Sequence, residues 1–222
     1  MDIIKAVESR KSIRAYTNKP VPKEMIDEIL NISVRAPSAL NTQPWEFAVI
    51  AGDVLEKIGQ ENVKKIEDGS MPNPDVAPVT YEGIYKKRQV TLGKTLYGLL
   101  GITKEDKGKR MEWTKQGFRF FGAPAAIIAY CDKSLSEGHS MYDVGAVVQT
   151  ISLVALNYGL GTCIQGQGIL FPDVIRKHTG IPETKRLIIC VTLGYPDKDF
   201  PANKLVTERV PVGEITQWFG FE

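Results

Sequence analysis

Histidine and cysteine are scarce in this 222-residue chain. His139 and His178 lie far apart, and Cys131, Cys163 and Cys190 form no C-x-x-C pair. So few ligands at such spacing argue against a zinc site, metal catalysis by clustered ligands and a disulfide framework. An excess of charge is missing too. With 28 basic and 26 acidic side chains the net charge is +2, not the strong basic balance of a nucleic-acid binder. The amino-terminal MDIIKAVESR has no apolar core of signal-peptide length. Val144 to Pro172 carries no charge, but Gln149, Ser152, Asn157, Gln165 and Gln167 interrupt it and Gly159 and Gly161 break it. A buried helix followed by a buried strand is expected there, not a membrane span. The expected location is the cytoplasm. Familiar nucleotide and nucleophile signatures are also lacking: no G-x-x-x-x-G-K-[ST], no G-x-S-x-G, and Ile164 where a G-x-G-x-x-G beginning at Gly159 needs its third glycine. These absences disfavour a Rossmann dehydrogenase and a serine hydrolase.

What is present is an ordinary globular composition, 43% hydrophobic and 24% charged, enough for one large core. Asp2 is placed to cap a first helix with Ile3, Ile4 and Val7 on one face. Pro22 opens a second helix, and Trp45 to Ile50 is a short strand followed by a helix from Asp53. Gly69, Pro72, Pro74 and Pro78 make 67–80 a loop. Tyr81 to Leu100 and Lys104 to Phe118 are polar helical segments studded with aromatics. Ala125 to Tyr130 and Leu187 to Leu193 are buried strands, Thr162 to Gln165 a third, and a short helix lies near Pro172 to His178. Tyr142 to Tyr158 is the most apolar helix, stopped at Gly159. Helices precede and separate the strands, so the expected class is α+β with a mixed sheet. The tail ends Trp218-Phe219-Gly220-Phe221, and three rings of about 150–250 Å² each need a surface to lie on, this chain's own or a partner's.

Three stretches carry chemistry. In Arg10-Lys11-Ser12-Ile13-Arg14, an extended backbone would point Arg10, Ser12 and Arg14 to one side. Two guanidinium forks and a hydroxyl suit a phosphate dianion, although a solvated basic turn is the plainer reading of the pentapeptide alone. Arg35 to Trp45, RAPSALNTQPW, brackets small and amide-bearing residues between two prolines, able to bond the edge of a flat heterocycle or simply to connect a helix with a strand. Gly159 to Gly168, GLGTCIQGQG, offers unobstructed backbone amides, or is only a glycine-rich strand end.

Taken together, Arg-x-Ser-x-Arg, Ala-Pro-Ser-x-x-Asn-x-Gln-Pro-Trp and Gly-Leu-Gly-Thr-Cys-Ile-Gln-Gly resemble the nitroreductase family of FMN enzymes, in the same order and over essentially the whole chain. Phe121-Gly122-Ala123-Pro124 and Gly194-Tyr195-Pro196 fit the same pattern. The resemblance implies a single α+β domain over 1–222, with a helical lid at about 69–116 and a dimerisation arm at about 197–222 reaching a second subunit. It implies a homodimer that holds FMN non-covalently and oxidises NADH or NADPH in ping-pong fashion, passing two electrons to a nitroaromatic or quinone. Arg10, Ser12 and Arg209 look like contacts to the phosphate and ribityl chain, with Lys11 in the same motif, and Arg14 looks like the cation at the flavin N1/O2 edge. Pro37, Ser38, Ala39 and Asn41 would come from the other subunit. Gln165 and Gly166 match a Glu-Gly pair whose amides face N5 and O4, with glutamine as a departure. The asparagine expected near the flavin pyrimidine has no match, its region being Lys115, Gln116 and Gly117. No residue is assigned a catalytic role, because the cofactor carries the chemistry.

Tyr81, Tyr85, Tyr97 and Trp113 are candidates for the acceptor site, or they pack the lid segment on its own domain. Other readings are a reductive dehalogenase, disfavoured because no glutamate stands four residues before Tyr81 or Tyr85, a flavin-cleaving enzyme, and a non-catalytic FMN binder. Neither nucleic acid nor a membrane is an expected partner.

Overall fold

The computed structural model describes residues 1–221. Glu222, the end of the expected arm, lies outside the described residues. Four strands, β1 (Glu46–Ala51), β2 (Ala125–Asp132), β3 (Gly161–Gln165) and β4 (Lys185–Gly194), form one sheet in the order β1-β2-β4-β3. Around it run α1 (Ile3–Ser9), α2 (Lys23–Ser33), α3 (Gly52–Glu67), α4 (Gly83–Leu99), α5 (Lys107–Phe118), α6 (Glu137–Asn157), α7 (Pro172–Thr179) and the short α8 (Val212–Ile215). The expected α+β class holds. Every ladder is antiparallel, however, and the one parallel pairing is an isolated bridge between Ser12 and Thr162. The connection explains why. β2–α6–β3 is a single-helix crossover and its strands run the same way, but β4 inserts between them and pairs antiparallel with both.

The central strands are apolar on both faces because both faces are covered. Along β2 the side chains alternate, Ala126 and Ile128 packing with Ile58, Phe171 and Ile175 from α3 and α7, Ile127 and Ala129 packing with Ile29, Val147 and Ile151 from α2 and α6. Asp2 caps α1, its carboxylate accepting from the amides of Ile4 and Lys5. The apolar helix α6 begins at Glu137, five residues before the expected start at Tyr142. No helix among the described residues is long and apolar enough to cross a membrane.

Two parts stand away from this body. Over its whole length α4 has no buried residue, and Ile84, Tyr85, Val90, Leu92 and Leu99 are exposed. The tail exposes Val206, Val212, Ile215, Trp218, Phe219 and Phe221, with Trp218 and Phe221 meeting only edge to face at 5.3 Å. The outward face of α1, Ile3, Ile4 and Val7, is likewise uncovered.

Candidate functional site

The basic pentapeptide is extended, as the alternation of its residues requires. The Ile13 amide donates to the Thr162 carbonyl at 2.9 Å, the Arg14 amide to Asn203 Oδ1 at 2.6 Å, and Ser12 bridges β3 at Thr162. Ile13 is buried, and the Tyr16 hydroxyl, 3.0 Å from the Ile13 carbonyl and 2.8 Å from Thr192 Oγ1, ties the segment to β4. Burial pushes the Tyr16 phenol well above its ordinary value, so it stays a neutral hydrogen-bonding post.

Alternation along this extended segment puts Arg10, Ser12 and Arg14 on one side. Cys163 follows Thr162, the bridge partner of Ser12: burial pushes its thiol up, while Arg14, Ser12 and Arg10 pull it down. Lys11 does not join them. Its side chain lies with Ile13 along a cavity of about 510 Å³ that Leu156, Lys198 and Lys204 also line. Among the described residues neither Arg10, Lys11, Arg14 nor Arg209 forms a salt bridge. Arg209 is on another segment. It bonds to the Thr207 hydroxyl at 2.7 Å and to the Thr207 and Glu208 carbonyls, within a groove that the tail forms with α4.

At the end of β3, Gln165 is buried, and its departure from glutamate has a reason. Its Oε1 accepts from the Gly168 amide at 3.0 Å and its Nε2 donates to the Gly117 carbonyl at 3.4 Å, a donor that a carboxylate lacks. Gly166, next along, is exposed and leaves its amide clear. A Cβ on Gly117 would meet the end of the Gln167 side chain, which would have to swing away and give up its bond to the Thr114 carbonyl. Lys115 is held by Glu67 and Glu112, each at 2.7 Å, which removes it from the region where the unmatched asparagine was sought.

The loop after α2 is strained. Leu40, Asn41 and Gln43 have φ of 50°, 57° and 46°, a conformation costing a non-glycine residue roughly 1–3 kcal/mol. Ser38 Oγ accepts the Gln43 amide at 2.9 Å, and the Asp143 carboxylate accepts the Ala39 amide with both oxygens at 3.2 Å. Pro37, Ala39 and Asn41 are exposed, Ser38 less so, and Leu40 is 99% exposed. Among the described residues no hydrogen bond joins this loop to the basic segment. The loop is held at Asp143, and Met1, before α1, is held near the other end of α6, where Asn157 Oδ1 accepts from its ammonium at 2.8 Å. The fourteen positions from 143 to 157 along α6 correspond to roughly 20 Å at about 1.5 Å per residue.

The aromatic candidates divide. Trp113 packs inward, 5.7 Å from Phe121 and 6.4 Å from Phe200, and Tyr97 lies under the Arg110 guanidinium at 4.8 Å. Tyr81 and Tyr85 remain exposed on or beside α4. Asp143 is a functional candidate that sequence reasoning passed over. Its signal was visible: a lone acid opening the charge-free run that starts at Val144.

These residues fit FMN. Unpaired guanidinium groups beside a hydroxyl suit its phosphate, and an exposed amide at a glycine turn suits a ring heteroatom. Comparison with known proteins points the same way. The family model described as "Nitroreductase family" matches residues 7–195. The chain is 31% identical to a 4-nitrobenzoate reductase of Pseudomonas putida, over all of this chain and 97% of the relative. It is 33% identical to another 4-nitrobenzoate reductase from Nocardioides sp. (strain LMS-CY), covering 93% and 85%. The solved FMN and NADPH-dependent nitroreductase NfnB from Sphigopyxis sp. strain HMH superposes with a TM-score of 0.94 at 28% identity, each chain fully covered. With its sequence motifs, its fold and its full-length relatives in agreement, this chain belongs to the nitroreductase family.

Proposed function

We propose that the protein is an FMN-dependent oxidoreductase that takes reducing equivalents from NADPH or NADH and reduces nitroaromatic compounds, nitrobenzoates among them. The observation that carries this reading is the extended Arg10–Arg14 segment bridged to β3, with Arg10, Ser12 and Arg14 at alternating positions and, among the described residues, no carboxylate partner for either arginine. When bound, FMN supplies two-electron chemistry, accepting hydride from the nicotinamide and passing it to the acceptor in ping-pong order. The chain's residues bind and orient. Arg10 and Ser12, with Arg209, hold the phosphate end. Arg14 places a positive charge at the ring edge where reduction builds negative charge. Gly166 offers its amide to the ring. Pro37, Ser38, Ala39 and Asn41 reach the ring from a second copy of the chain, a reading supported by the exposure of Pro37, Ala39 and Asn41 and by the lack of a hydrogen bond between this loop and the basic segment among the described residues.

The homodimer rests on uncovered apolar surface. A helix with no buried residue lacks the packed face from which most helices in proteins draw their stability, and the rings at the end of the tail need cover. A partner subunit supplies it, and α4 then serves as a lid near the acceptor. Trp113 holds the lid segment to the body and Tyr97 packs within the lid against Arg110, which leaves Tyr81 and Tyr85 to meet the acceptor.

The absorption spectrum of the purified protein, followed by anaerobic titration with each nicotinamide and then 4-nitrobenzoate, tests the reading. Flavin bands bleached by NADPH or NADH and restored by the acceptor are expected. A colourless protein that does not rebind FMN would sink it. Alanine at Tyr81 or Tyr85 is expected to shift kcat/KM between nitroaromatic and quinone acceptors by roughly two- to tenfold, the worth of one stacking contact, at unchanged FMN content. An unaltered ranking across such a panel in both variants would take selectivity away from the lid.

A further inference from the structure

We infer that Asp143 is a positioning residue for the cofactor loop: its buried carboxylate holds the Ala39 amide and thereby fixes the Ser38–Gln43 turn that meets FMN. This rests on the FMN reading above and adds to it a residue remote from the predicted contacts.

Asp143 sits within α6 and is 1% exposed. Among the described residues it forms no ion pair, and the Ala39 amide is its hydrogen-bond partner, 3.2 Å from each oxygen. A carboxylate buried with so little compensation is costly, and an apolar residue of similar volume would pack against Val144 and Val147 at less expense. The loop it holds is the opposite kind of structure. No residue of the Ala39–Asn41 turn is buried, and Leu40, Asn41 and Gln43 have left-handed φ. Apolar packing does not maintain that conformation. Hydrogen bonds do: inside the loop, the Asn41 amide to the Ser38 carbonyl, the Thr42 amide to the Ala39 carbonyl, the Gln43 amide to Ser38 Oγ and Gln43 Nε2 to the Asn41 carbonyl, and out of it the Ala39 amide to Asp143. Among the described residues only the last connects the turn to another element. A strained, exposed turn pinned by one buried acid is preorganised to present Ser38 and Asn41 in a single geometry.

The test compares full-length Asp143→Leu and Asp143→Asn with wild type. Leucine removes the acceptor with the same branching at a larger volume, and asparagine keeps a neutral acceptor at nearly constant volume. Sedimentation and thermal unfolding establish that each variant is folded and assembled as wild type is. Amide exchange at residues 39–43 and the rate of FMN release, followed by flavin fluorescence, are the readouts. For Asp143→Leu, exchange at these amides and FMN release are each expected to rise about tenfold or more, as for loss of one charge-assisted bond. Exchange elsewhere in α6 stays unchanged. Asp143→Asn is expected to fall within about threefold of wild type, since it retains an acceptor. Asp143→Leu that releases FMN at the wild-type rate overturns the inference and leaves the FMN reading intact. If Asp143→Leu does not fold, Asp143→Asn decides, and flavin loss from it as large as from an unfolded chain overturns the inference. Wild-type protein that binds no FMN overturns the FMN reading itself.

Discussion

Alanine at Arg10 is expected to loosen FMN by roughly ten- to a hundredfold, and alanine at Arg209 by a similar factor. Each guanidinium would lose a charge-assisted bond to phosphate worth about 1.5–3 kcal/mol. The two differ in what else they do. Among the described residues Arg10 makes no salt bridge, so its removal costs the fold little. Arg209 bonds to Thr207 and Glu208 and lies against α4, so its loss also frees the base of the tail. Flavin release measured by fluorescence after dilution distinguishes binding from folding. Wild-type retention in both variants would remove these residues from the phosphate site. Arg14→Ala should behave differently again, leaving the phosphate held but making the flavin harder to reduce, since a positive charge near the ring favours its reduced anion.

Truncation after Pro211 is expected to weaken the dimer by roughly a hundred- to a thousandfold. The segment removed holds Trp218, Phe219 and Phe221, all exposed in the single chain. Three aromatic rings of about 150–250 Å² each, at about 25 cal/mol per Å², represent roughly 10 kcal/mol or more of gross burial. Ordering a flexible arm and fixing two bodies together offset most of that, leaving about 3–4 kcal/mol to appear in the dissociation constant. Because the cofactor motifs are divided between copies in this reading, flavin should leave as the dimer dissociates. Sedimentation velocity across a dilution series checks both. A full-length protein that sediments as a single, yellow, fully active chain would contradict the dimer.

Much of this was legible in the sequence. Asp2, Pro22 and Gly159 punctuate helices where local chemistry requires, and the unbroken apolar run of β2 announces a strand covered on both faces. Alternation in the basic pentapeptide foretold which of its side chains gather, and it also separates Lys11 from them. Other features were not local. Strand pairing depends on which strand inserts between β2 and β3, a fact about distant segments that no window contains. Ser136 to His139 is too polar to look like the start of an apolar helix, although the helix begins there. Whether an aromatic packs inward or faces outward is decided by partners such as Phe200, far away in the chain, so Trp113 and Tyr85 looked alike. Gln165 looked like a weakened glutamate until its two hydrogen bonds, one given and one received, accounted for it.

The position of Cys163 bears on how such an enzyme survives its own products. Arginines and a hydroxyl beside a sulfur normally favour the thiolate, the form that attacks electrophiles. Here burial outweighs them and keeps the thiol protonated, and Cys131 and Cys190 are sealed in the core as well. Stepwise reduction of a nitroarene passes through an arylnitroso compound, a soft electrophile that captures thiolates. A small polarisable side chain beside the basic segment is thereby kept in the form least able to add to the nitroso nitrogen.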